Sequence, residues 1–174
     1  IRLNMATYDR AFLEAIEALP HSDWQGPVWR HMINDYAPER INESGARWNP
    51  RGTGAIYTAL DRDTAIAEGQ HAIDVQPRRF YRRRVLYQLD VDVRALVDLT
   101  AIEHLQSVGL TMDDVASDDH SACQSVGGAI AWLGRGGLLV PSARHPGTNA
   151  VILIGPGGDA EIEFTYRFAD PEER

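Results

Sequence analysis

From Val85 to Val93 the odd positions are Val85, Tyr87, Leu89, Val91 and Val93, while Gln88, Asp90 and Asp92 hold even ones. Period-two alternation of this kind makes a strand with one face buried and one wet. Other segments line up around it. Residues 9–19 (DRAFLEAIEAL) place Phe12, Leu13, Ile16 and Leu19 at helical spacing, with Pro20 as a stop. The Gly26-Pro27 pair is expected to punctuate the chain before a first strand, VWRHM (28–32). AIYTAL (55–60) reads as a short strand, after which Asp61 or Asp63 caps a helix carrying Ala65, Ile66, Gly69 and Ile73 on one side. Ala122, Val126, Ala129, Ile130 and Leu133 mark another helix, ending at Gly134. LLVPS (138–142) and AVILI (150–154) are short buried strands. A turn at 155–159 (GPGGD) then leads into a last strand with Ala160, Ile162, Phe164, Tyr166 and Phe168 on one face. The closing hairpin and the short connections favour antiparallel pairing. The expected class is α+β, with mixed, largely antiparallel sheets, rather than doubly wound α/β.

Length sets the scale: 174 residues suit a single domain, 1–174, around one core. No apolar run approaches the roughly 20 residues of a membrane helix, and no leader pattern opens the chain, so no membrane association is expected. The chain begins at Ile1 rather than methionine, and a short piece of natural N-terminus is expected upstream. Cys123 is the only cysteine, which excludes an intramolecular disulfide and fits a reducing cytoplasm. A net charge of −8 argues against general nucleic-acid binding, which depends on positive surface. All 17 basic residues are arginines. Codon usage in a GC-rich genome explains this, and so does selection for planar phosphate donors; composition does not choose between them.

Several local signals point away from common chemistries. His21, His31, His71, His104, His120 and His145 show no zinc-ligand spacing, so no metal is expected. The cluster Arg78, Arg79, Arg82, Arg83 and Arg84 reads as a charged loop leading onto a strand. Asp113, Asp114, Asp118 and Asp119 lack the ligand rhythm of a calcium loop, and helix capping by Thr111 with plain solvation is the expectation there. GGAIAWLGRGG (127–137) follows no strand and matches no nucleotide-binding glycine fingerprint.

Residues 45–69 (GARWNPRGTGAIYTALDRDTAIAEG) are different. Taken singly, Arg47 reads as a surface residue, Trp48 as a core plug, Tyr57 as half core and Glu68 as one more helix carboxylate. Together they put a guanidinium fork, an aromatic ring and a lone carboxylate on a loop, a strand and a helix in succession. Asn49-Pro50 and Gly52-x-Gly54 give an irregular loop whose amides are expected to face a ligand. Such a cleft could hold phosphate, stack a flat ring and place one negative charge.

At this point the chain resembles the RES-domain family, the toxin halves of bacterial toxin–antitoxin pairs, named for an arginine, a glutamate and a serine. The matching pieces are ARWNPRGTGAIYTAL with Arg47, TAIAEG with Glu68, and GLLVPSARHPGTNAVIL with Ser142 and Asn149; VWR at 28–30 resembles the opening segment. The resemblance spans about 28–154, leaving 1–26 as an N-terminal helical extension, and Ala46 stands where a second glycine is common.

The resemblance implies a fold like that of ADP-ribosyltransferases and NAD as substrate, cleaved at its nicotinamide–ribose bond by water or inorganic phosphate. It also implies a helix-turn-helix antitoxin as partner. Glu68, Arg47 and Tyr57 are implied as catalytic residues, and Arg47, Trp48, Asn49, Tyr57, Ser142 and Asn149 as NAD-binding ones. Glu68 would stabilise the ribosyl cation, Tyr57 stack on nicotinamide or ribose, Arg47 hold pyrophosphate or incoming phosphate, and Ser142 bond substrate or Glu68. Two alternatives stay open: transfer of ADP-ribose to a protein side chain, and a non-catalytic nucleotide- or partner-binding module.

Overall fold

The computed structural model describes residues 8–33, 36–75 and 84–154, and the backbone alone of 163–168. In chain order the elements are α1 (Arg10–Glu17), β1 (His21–Ile33), β2 (Gly54–Ala59), α2 (Arg62–Asp74), β3 (Arg84–Asp98), α3 (Ile102–Ser107), α4 (Met112–Ala116), α5 (Ser121–Trp132), β4 (Gly137–Pro141), β5 (Thr148–Ile154) and β6 (Glu163–Phe168). The strand order is β1-β2-β5-β4-β3-β6, and β1 also pairs with β3. The first five strands therefore close on themselves. Every pairing is antiparallel except β3 with β4. The class is α+β, in one compact domain.

The alternation in β3 decides what lies inside the closed sheet. Val85, Tyr87, Leu89, Val91 and Val93 meet Val28 and Met32 of β1, Ile56 of β2 and Ile152 of β5 in one apolar cluster. Outward-facing residues pack under helices. α5 buries Cys123, Val126, Ala129 and Ile130 against β4, β5 and α1, in a cluster that includes Ile16, Leu138, Val140, Val151 and Leu153. A smaller cluster joins Ala65 of α2 to Ala59 and Leu86, with Trp29 and Ile66 packed on it. Helix α2 thus rides on the outer face of β1 and β2.

Some expectations need correction. β1 starts at His21 and runs straight through Gly26 and Pro27, which pair with Val91 and Asp90. β1 meets β2 only through Trp29 and Ala59, so before that point, among the described residues, it has a neighbour on one side alone. A residue without an N–H is tolerated in such an edge. Ile73 is only partly buried on α2, whose buried residues are Thr64, Ala65 and Gly69. Ala122 is exposed, and the buried stripe of α5 begins at Cys123. α3 is an addition to the expected elements; it holds the core by Leu105 and leaves Ile102 largely exposed. Thr111 does cap a helix, α4, in a reciprocal box with Asp114. The arginines at 78, 79, 82 and 83, the turn at 155–159 and the side chains of the last strand lie outside the described residues.

Candidate active site

Glu68 owes its position to the way α2 begins and to the residue that follows it. Asp61 accepts the N–H of Thr64 at 2.8 Å and the Thr64 hydroxyl at 2.7 Å, which fixes the first turn. Gly69 then lets the helix settle on β1: a Cβ there would overlap the His31 ring at Nδ1. His31 is itself held, since Arg84 Nε donates to its Nε2 at 2.8 Å. Burial, and then the Arg84 charge, pull the His31 pKa down to about 4, so the ring is a neutral acceptor. With α2 held this way, the Glu68 carboxylate faces the end of β5. Its Oε1 accepts from Ser142 Oγ at 2.5 Å and from Asn149 Nδ2 at 2.8 Å; Oε2 accepts from neither. Asn149 sits in register between Ala59 and Val140, and Ser142 follows the last residue of β4. A carboxylate oriented by two donors from the sheet has little freedom to turn.

The loop before β2 is built around Asn49, which is fully buried. Its Nδ2 donates to the carbonyls of Asn42 and Thr53 at 3.1 and 2.8 Å, and its Oδ1 accepts from the Tyr57 hydroxyl at 2.6 Å. The same hydroxyl accepts the Trp48 N–H at 2.9 Å. Burial raises the Tyr57 pKa to about 12, against the pull of those bonds, so the phenol stays protonated. Two expectations change here. Asn49 braces the loop and lines neither cavity of the cleft, because every polar atom of its amide is engaged inward. The amides of Gly52 and Thr53 bond the carbonyls of Glu43 and Pro50 rather than facing outward to a ligand. Gly52 is needed for its backbone, at φ 93°.

Arg47 leaves this loop toward the segment between α4 and α5. Its Nη1 donates to the carbonyls of Ser117 at 2.5 Å and Asp114 at 3.3 Å. Both acceptors are neutral. The Asp114 and Asp119 carboxylates turn instead to the starts of the two helices, bonding Thr111 and Ser121. On the far side of the loop, Trp48 is 3% exposed and belongs to the main core while its edge reaches the cleft.

Two adjoining cavities meet at Tyr57, Glu68, Ala72 and Asn149. The first, of about 240 Å³, is bounded by Trp29, Arg30, His31, Thr58, Ala59, Ala65 and Gly69. The second, of about 290 Å³, is bounded by Ala46, Arg47, Trp48, His71, Val115, His120, Pro141, Ala143, Arg144 and Val151. Glu68 is the only carboxylate on either wall among the described residues. The first cavity is walled mainly by aromatic and small side chains and includes one buried arginine, Arg30, which donates to the Pro38 carbonyl; the second carries Arg47 and Arg144. Arg47, Trp48, Tyr57, Glu68 and Asn149 are thus brought together directly, and Ser142 reaches the cleft through Glu68. Trp29, Arg30, His31, His71, His120 and Arg144 join the cleft without having been expected there. His71 has a local signal, lying one turn after Glu68 on the same helix face; Trp29 and Arg30 lie in the VWR segment, and Arg144 stands two residues after Ser142.

The RES domain family model matches residues 12–169 of the chain. The chain belongs to the RES domain family. Among curated relatives, the NAD(+) phosphorylase MbcT of Mycobacterium bovis (strain ATCC BAA-935 / AF2122/97) is 31% identical over 147 residues, covering 80% of this chain and 79% of the relative. MbcT of Mycobacterium tuberculosis (strain ATCC 25618 / H37Rv) gives the same figures. Among solved structures, the M. tuberculosis MbcT–MbcA toxin–antitoxin complex contains a chain that superposes with a TM-score of 0.77 at 27% identity, covering 94% of each. On this scaffold Glu68 stands on α2, Arg47 on the loop before β2 and Ser142 just after β4.

Proposed function

We propose that this chain is the toxin of a toxin–antitoxin pair and consumes NAD by cleaving its nicotinamide–ribose bond, with inorganic phosphate as the acceptor. The observation that carries the reading is Glu68, held by Ser142 and Asn149 where an aromatic cavity meets a cationic one. Likeness to an NAD(+) phosphorylase and to a toxin–antitoxin complex supports it.

The chemistry follows from that division. Nicotinamide bears a positive charge in NAD and leaves as a neutral ring, so the leaving group needs no acid. A flat ring suits the cavity walled by Trp29 and the Tyr57 ring. As the C–N bond breaks, its electron pair goes to the nicotinamide nitrogen and positive charge develops on the ribose, as in glycoside cleavage. The fixed Glu68 carboxylate stabilises that charge without reorganising. Arg47 takes the dinucleotide's pyrophosphate, its fork steadied by two backbone carbonyls. A phosphate oxygen then bonds the ribose carbon, giving a ribosyl phosphate and a proton lost to solvent. The hydroxyl of Tyr57 has no part in this, being committed to the loop. The partner is an antitoxin protein, a helix-turn-helix one by family resemblance, and the reaction belongs in the cytoplasm, where NAD is available. No described helix is long and apolar enough to cross a membrane.

The test is nicotinamide release from NAD, with and without phosphate, by the native chain and by Glu68→Gln. The substitution keeps shape and removes charge, so the rate should fall about 10²–10³-fold with little change in NAD binding. Turnover retained in Glu68→Gln rejects the role of Glu68. Absence of nicotinamide from the native reaction returns the cleft to a binding module, and label on a protein side chain in place of phosphate makes it a transferase.

A further inference from the structure

Two guanidinium groups line the cationic cavity, and they are held in different ways. Arg47 is anchored on the backbone carbonyls of Asp114 in α4 and Ser117 just after it. Arg144 is keyed to Glu68 through its backbone: its main-chain N–H donates to Ser142 Oγ at 3.1 Å, and the same hydroxyl donates to Glu68 Oε1. Its half-buried guanidinium makes no hydrogen bond or ion pair among the described residues. Backbone bonds also hold the segment that carries it, Ser142 N–H donating to Gly147 O at 2.9 Å. His71 enters the same cavity from α2, one turn beyond Glu68.

Resting on the NAD-cleaving reading, we propose that Arg144, with His71 as a second donor, binds the free inorganic phosphate that attacks the ribose, while the pyrophosphate of NAD is held elsewhere in the cavity by Arg47. An attacking phosphate must be positioned relative to the reacting carbon, which Glu68 faces. A residue whose backbone is tied to Glu68 through a single hydroxyl, and whose side chain carries the cation, meets that need. The pyrophosphate hangs several bonds from the same carbon and can be gripped from a separate loop. With nicotinamide in the aromatic cavity, the face of the ribose opposite the leaving group opens toward the cationic one, and the nucleophile comes from there. The chain carries a net charge of −8. Against that acidic total, Arg144 has no carboxylate partner among the described residues, and an anion satisfies it.

Initial rates of nicotinamide release, with phosphate and NAD varied separately, test the assignment in Arg144→Ala and Arg144→Lys. NAD affinity without phosphate is measured alongside by titration. Losing one charge-assisted contact should raise the apparent KM for phosphate about 10–100-fold in Arg144→Ala. Arg144→Lys should recover part of that loss, with NAD affinity within about two-fold of native in both. Unchanged NAD affinity also certifies that the Glu68 cleft is folded. If NAD affinity falls and the phosphate KM holds, Arg144 grips the dinucleotide and the assignment is overturned. It is equally overturned if neither changes, or if both change together. The native chain reports on the underlying reading by itself: release that ignores phosphate, or no release, rejects phosphorolysis before any variant is made.

Discussion

Tyr57 shows how one side chain serves the loop and the cleft with different parts. Its ring borders both cavities, while its hydroxyl joins the Trp48 N–H to Asn49 Oδ1 behind them. Tyr57→Phe keeps the ring and strands a buried donor and a buried acceptor, at a cost of about 1–3 kcal/mol. Thermal unfolding should therefore shift down by several degrees, about 2–4 °C per kcal/mol in a chain of this size. Nicotinamide release by the folded variant should change far less than in Glu68→Gln; a loss as large would give the hydroxyl a direct part in the reaction. Residues 45–69 are legible as one unit because Arg47, Tyr57 and Glu68 sit on three consecutive pieces of backbone. The inward turn of Asn49 is not legible, since an Asn-Pro pair announces a turn without saying which way the amide points. His120 is not legible either, because it reaches the cavity through tertiary packing of a distant segment, and the sequence does not say that Arg144, two residues after Ser142, lines it.

At the scale of elements, the contact between α2 and β1 decides where Glu68 stands. Gly69 leaves room for His31, and His31 cannot swing aside without giving up the bond from Arg84. Gly69→Ala therefore overpacks the contact, which costs about 1–3 kcal/mol and should lower the urea midpoint. A displaced α2 carries Glu68 away from Ser142 and Asn149, and misplacement near 1 Å can cost about 10²-fold in rate. A variant with native midpoint and native turnover would show that the helix does not depend on this contact. Gly127 of α5 makes a similar approach, since a Cβ there would overlap the Trp48 carbonyl oxygen. Neither contact is visible as such: in sequence Gly69 is only part of an apolar helix side. Strands with strict alternation or short apolar runs are readable, because burial on a sheet face leaves a period of two. α3 is not, since a six-residue helix held by Leu105 leaves almost no periodic trace.

For the whole molecule, the consequence of the proposed activity is that the cleft must be covered until it is needed, because draining NAD harms the cell that makes the protein. The cavity beside Glu68 presents both Arg47 and Arg144, so a partner segment that ends in, or carries, a carboxylate can mimic the substrate's phosphates there. Expression of the chain alone should then arrest growth and lower cellular NAD, while expression of Glu68→Gln at the same level should do neither. Co-expression with the antitoxin should restore growth. Removing the last residues of that partner should release NAD cleavage while leaving enough interface for the two proteins to copurify. A truncated partner that binds and still silences the enzyme would mean that inhibition acts away from the cleft. A native chain that accumulates to high level with growth and NAD unchanged would reject the toxin reading itself, and with it the need for any such cover.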